Sequence, residues 1–212
     1  MAKWLSPAIP PDLNEEKDVK RHSVRKNSYN TNQRSGYLEG RTANIGGVAC
    51  VLEKSISSNR CYDTFRCLRQ NKQPLIAKLS HSGIGDRLLI KEYGLLGYLS
   101  EQGAGSTYTN YLPQKVAMGR VDGRSATLFV AQQENWYTVN QIRKRFPRGL
   151  DGEHIAWMFN RMLEAVGFVH RHGTIHTALL PQHVVFDSES HGMLLTDWTH
   201  AKEDGKLSLI HI

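Results

Sequence analysis

Residues 172–200 read HGTIHTALLPQHVVFDSESHGMLLTDWTH, and the reading of this stretch decides the fold. Val184, Val185 and Phe186, then Met193, Leu194 and Leu195, form two apolar runs around a polar turn, the pattern of two short buried strands. Ile175-His176-Thr177-Ala178, with Leu180, Pro181 and His183, lies ahead of them; Asp197 follows closely behind. An imidazole such as that of His183 can ligate a metal, and His176 or His183 can act as a base near neutral pH.

Working outward, segment 151–172 carries Ile155, Phe159, Met162, Leu163, Val166 and Val169 three or four apart, which predicts a long helix capped by Asp151. Segment 138–145 predicts a short one. Before residue 135 the period changes to that of strands. Segments 115–121 and 124–132 predict a hairpin across Asp122-Gly123, a dipeptide that readily supplies positive φ. Earlier strands are expected from Gly46 onward (Val48, Cys50, Leu52), at 61–68 and at 74–79. Segment 86–102 predicts a helix begun by Asp86 and stopped by Gly103. The layout is α+β: a five-stranded antiparallel sheet with one inserted helix, then the start of a mainly helical part.

That order, and the opening stretch residue by residue, resembles a protein kinase. The family's H-R-D-x-x-x-x-N loop is matched by His176-Thr177-Ala178 through His183, and its D-F-G by Asp197-Trp198-Thr199, 19 residues after Ala178. Leu75-Ile76-Ala77-Lys78 is similar to V-A-I-K, and Glu92, 14 residues on, matches the glutamate that pairs with that lysine. The resemblance implies an N-lobe at 45–132 and a partial C-lobe at 133–206. It also implies ATP with Mg or Mn as cofactor, Lys78 and Glu92 as nucleotide-binding residues, and Asp197 with His183 as metal ligands. Val130 and Gln132, in the stretch 130–134, stand where a hinge would meet adenine. Among families of this kind, bacterial and phage kinase-like proteins carry a similar small residue in the catalytic loop.

The departures bear on chemistry. Ser57, Ser58 and Asn59 occupy the place of the phosphate-covering loop, but every glycine that would let backbone amides approach a phosphate is replaced. Ala178 replaces the aspartate that accepts the substrate proton, Leu180 replaces the loop lysine and His183 the metal-binding asparagine. A nucleotide-binding pseudokinase with a regulatory or scaffolding role is the first expectation. An atypical phosphotransferase using His176 or His183 as base is the second.

The composition sets outer bounds. A 212-residue chain that is 40% hydrophobic can bury a core. Its net charge of +7 is spread without a block, so nucleic acid is not the expected partner; a protein partner or substrate is, of unknown identity. Cys50, Cys61 and Cys67 form neither a zinc spacing nor an even disulfide set, and no apolar run is long enough to span a bilayer. A soluble, cytoplasmic protein with no membrane partner is expected. Residues 1–44, rich in proline and polar side chains, predict a flexible tail or linker. The last six residues, LSLIHI at 207–212, are also the translation of CTGTCTCTTATACACATC, the mosaic end of a transposon-based sequencing adapter. They are expected to be non-native, with the C-lobe cut short; a natural chain ending in an apolar strand is the competing expectation.

Overall fold

The computed structural model describes residues 38–132 and 135–203. The expectations for 1–37, for hinge residues Gln133 and Glu134, and for 204–212 lie outside the described residues.

Six antiparallel strands form the first sheet: β1 (Thr42–Ile45), β2 (Val48–Ser58), β3 (Tyr62–Arg69), β4 (Pro74–Ser80), β5 (Lys115–Val121) and β6 (Arg124–Val130), in the order β1-β2-β3-β4-β6-β5. The expected five strands are thus corrected to six, and the folded region begins ahead of the expected boundary at residue 45. The added strand is built from the Gly46-Gly47 turn. It pairs Ile45 with Val48 and buries Ile45 and Ala43, while Leu38 is buried just before it. Only two alternating apolar residues mark β1, too few to stand out from the polar segment before it.

The sheet curls until β1 touches β5. A Cβ on Gly46, whose φ is +58°, would stand 2.5 Å from the Met118 carbonyl oxygen, and one on Gly119 would stand 2.4 Å from the Gly46 nitrogen. Glycine is therefore required where the two edges approach. One face of the curled sheet packs Leu52, Phe65, Cys67, Leu75, Ala77 and Leu79 into a core. On β4 the alternation then turns Ile76 and Lys78 to the opposite face, toward a cleft.

Helix α1 (Gly83–Gln102) crosses the sheet, entered from Ser82 rather than capped by Asp86. Asp86 lies in the first turn, where its carboxylate accepts from the Ser125 backbone N–H and the Ser80 hydroxyl, tying the helix to β6 and β4. These hydrogen bonds hold the Asp86 carboxyl near pKa 2. Gly83 and Gly85 disguise this helix start; a Cβ on Gly85 would stand 2.1 Å from the Cys61 carbonyl oxygen.

A one-turn 3-10 helix (Thr107–Tyr111) precedes β5. Beyond β6 come β7 (Trp136–Thr138), α2 (Val139–Arg145) and α3 (Gly152–Arg171). The short strands β8 (Thr174–Ile175), β9 (Val184–Asp187), β10 (Met193–Leu195) and β11 (Lys202–Glu203) complete the described chain. Thr138 and Gln141 form a reciprocal capping box on α2, and Asp151 caps α3 as expected. The β9–β10 hairpin is the predicted strand pair. The second core gathers Leu96 and Leu99 of α1, Phe168 and Val169 of α3, Phe186, Leu195 and Trp198. The expected inward stripe of α3 is buried only in its C-terminal half; Ile155, Phe159 and Leu163 are about half exposed.

Because Ile45 is fully buried in the strand that closes the sheet, Ile45→Ala should cost about 2–5 kcal/mol, the range for truncating a core isoleucine. A shift in the urea midpoint measures this; a change under about 0.5 kcal/mol would place β1 outside the cooperative unit.

Candidate functional site

Lys78 sits on β4 opposite Thr64 of β3 and Thr127 of β6, with its side chain under the sheet and almost fully buried. Its Nζ donates to both oxygens of Glu92, at 2.7 and 2.9 Å, and stands 3.3 Å from Oδ1 of Asp197. Burial by itself would lower the lysine pKa, but the Glu92 and Asp197 carboxylates outweigh it and hold the ammonium above its ordinary range. Glu92 is equally buried and also accepts from the backbone N–H of Trp198, at 2.8 Å. The expected Lys78–Glu92 pair is therefore present, and it reaches the Asp197 turn.

Asp197 adopts a left-handed φ of +62°, which brings its carboxylate back toward the sheet. Oδ1 accepts from the Tyr62 phenol at 2.7 Å and the Thr199 hydroxyl at 2.9 Å, as well as facing Lys78. Oδ2 stands 3.3 Å from Nε2 of His183. Burial pushes the Asp197 pKa up, yet Lys78, the Tyr62 and Thr199 hydrogen bonds and His183 together bring it down to about 2. The Tyr62 phenol, desolvated beside this carboxylate, is pushed up to about 12, and Lys78 Nζ lies 5.1 Å from its ring centroid.

His176 and His183 have different surroundings. Nε2–H of His176 donates to the Thr196 carbonyl at 3.0 Å, which leaves Nδ1 to accept from the Ala178 N–H at 3.3 Å. Its ring packs edge-on against Trp198, and burial lowers its pKa to about 4. With both nitrogens engaged and the ring buried, His176 pins the loop to the Asp197 turn and does not line the cleft. His183 does line the cleft. Its Nδ1 donates to the Ala178 carbonyl at 2.9 Å while Nε2 faces Asp197.

The cleft between sheet and hairpin has a volume of about 610 Å³, within the roughly 300–1,000 Å³ of small-molecule sites. Ile76, Phe129, Val130, Ala131, Val185 and Leu194 make its apolar walls; Lys78, Glu92, His183 and Asp197 make its polar end. Of the other expected residues, Ser57, Asn59, Val130 and Gln132 line it, and Ser58 does not. An apolar slot ending in charge suits the base and ribose of ATP. The divalent ion fits poorly. Oδ1 of Asp197 already accepts from Tyr62 and Thr199, the His183 ring crowds Oδ2 at 3.3 Å, and no cluster of three potential ligands occurs among the described residues.

Sequence reasoning missed Tyr62 and Thr199, whose roles depend on a contact 135 residues apart, and the function of Asn59. Asn59 Oδ1 accepts from the N–H groups of Cys61 and Tyr62, at 2.7 and 2.9 Å, so two amides of the expected phosphate loop are already bonded. The departure from glycine was the one available signal.

No protein-family model matches the chain, and no curated protein matches it in sequence. Solved structures do resemble it. The kinase domain of PF14_0431 superposes with a TM-score of 0.66 at 13% identity, covering 78% of this chain and 55% of that one. The BubR1 kinase domain gives 0.64 at 11% identity, covering 78% of this chain and 51% of that one. The fold is thus protein-kinase-like, and the chain spans about half the length of the kinase domains it matches.

The His176 environment fixes a pH response. Its folded pKa of about 4 lies below the ordinary 6.5, so the unfolded chain binds the extra proton between those values. The contribution is complete above about pH 6.5 and lost as pH falls toward 4. Wild type should lose on the order of 2 kcal/mol more than His176→Gln between pH 7 and 4.5 in urea titrations. Parallel pH profiles would contradict the assignment.

Proposed function

We propose that this kinase-fold protein is a pseudokinase, one that binds ATP in the cleft and acts as a regulatory or scaffolding component rather than a phosphotransferase. The observation that carries the reading is the combination of an intact, buried Lys78–Glu92 pair with a methyl group, that of Ala178, at the position of the catalytic base. Phosphoryl transfer depends on positioning the attacking hydroxyl and stabilising charge on the moving group. Ala178 can accept no proton. Leu180 carries no charge, is about half exposed and does not line the cleft. A Mg or Mn ion would have only Asp197 and His183 to hold it.

The apolar walls supply what nucleotide recognition needs without catalysis. An atypical phosphotransferase is the second reading, favoured by the presence of the His183 ring in the cleft beside Asp197. Against it stands the engagement of both His183 nitrogens.

Two measurements on the full chain separate the readings. ATP at about 100 times its dissociation constant should add about 2.7 kcal/mol of stability, a melting shift of roughly 5–10 °C for a chain of this size. Val185→Trp, which fills the slot, should abolish the shift. Radiolabelled ATP should transfer no label to protein acceptors above background. Label transfer by wild type that disappears in both Lys78→Ala and Asp197→Ala would overturn the inactive reading. Absence of any ATP-dependent shift would leave an adaptor that uses no nucleotide.

A further inference from the structure

We infer that the cleft takes its nucleotide without a divalent ion, because Tyr62 and Thr199 already occupy one oxygen of Asp197 and His183 covers the other. This deepens the nucleotide-binding reading and rests on it. Tyr62 opens β3 and points to the cleft face, in alternation with Asp63 and Phe65, which point to the other. It is almost fully buried, its hydroxyl donates to Asp197 Oδ1 at 2.7 Å, and its ring lies against the Lys78 ammonium. Thr199 donates to the same oxygen and His183 covers the other. A metal binding Asp197 would have to displace the phenol and enter between Lys78 and His183.

The loop above repeats the point independently. A phosphate tail is usually cradled by free backbone N–H groups. Here the N–H groups of Cys61 and Tyr62 donate to Asn59 Oδ1, so the turn satisfies itself. Lys78 faces two carboxylates, Glu92 and Asp197, which leaves this end of the cleft without surplus positive charge from that lysine. A triphosphate gains little there, with or without an ion. Recognition then falls to the apolar slot, and the ligand class is an adenine nucleoside or nucleotide held by its base and ribose, with any phosphates directed to solvent.

Calorimetric titration of the full chain with adenosine and with ATP, each in EDTA and in excess Mg²⁺, tests this. Wild type should bind ATP with affinities in the two buffers that agree within about twofold, and adenosine within about threefold of ATP. Tyr62→Phe keeps the ring and removes the phenol from that Asp197 oxygen, which still accepts from Thr199; its ATP affinity should rise at least about tenfold when Mg²⁺ replaces EDTA. A tenfold Mg²⁺ effect in wild type, or none in Tyr62→Phe, overturns the inference. A second arm needs no nucleotide: Mn²⁺ alone, followed by the electron paramagnetic resonance of the free ion, should bind Tyr62→Phe at least about tenfold more tightly than wild type. Equal Mn²⁺ affinities overturn the assignment of Tyr62. Failure of adenosine to bind either protein removes the nucleotide reading, while the Mn²⁺ arm still decides what Tyr62 does.

Discussion

Burying an ammonium beside a carboxylate is costly unless the geometry is good and the remaining donors and acceptors are met. Lys78 and Glu92 meet that condition. Both carboxylate oxygens take the lysine, one of them also accepts from Trp198 N–H, and the lysine reaches Asp197 as well. Three elements are thereby fixed to one another: β4 carrying the lysine, α1 carrying the glutamate, and the turn after β10 carrying the aspartate. The curl of the sheet and the Asp86 contacts bring α1 to the place where the pair can close.

A charge network that satisfies itself has functional consequences. The residues resembling catalytic ones are held by neighbouring structural groups: Asp197 by Tyr62 and Thr199, His183 by the Ala178 carbonyl, and His176 by the Thr196 carbonyl. The apolar part of the cleft is not consumed in this way and remains open to a planar ring. The polar groups of the site are thus given to structure, while its apolar walls stay lining an open cleft. Ala178 itself leaves no backbone group unpaired, since its N–H donates to His176 Nδ1 and its carbonyl accepts from His183 Nδ1.

Much of this was legible in the sequence because it rested on local patterns. Alternation marked β2 to β6, Asp122-Gly123 marked the hairpin, Asp151 the helix start, and the 14-residue interval from Lys78 to Glu92 put both partners on the right elements. What was hidden depended on tertiary contact. β1 has too short an apolar alternation to read, and it exists because Gly46 and Gly119 allow two edges to meet. The stripe through Ile155, Phe159 and Leu163 announced a helix but not which part of it is covered. Tyr62 read as an ordinary strand residue until the fold brought Asp197 beneath it, and His176 could be told from His183 only by the acceptors around each ring.

The central claim is that the Lys78–Glu92 pair acts as a structural tie within a closed network. A double-mutant cycle on Lys78→Met and Glu92→Gln, read as equilibrium stability in urea, tests it most directly. A tie of this kind predicts a coupling energy of at least about 1.5 kcal/mol, with each single change costing more than its share of the double. Additive effects, with coupling below about 0.5 kcal/mol, would contradict it.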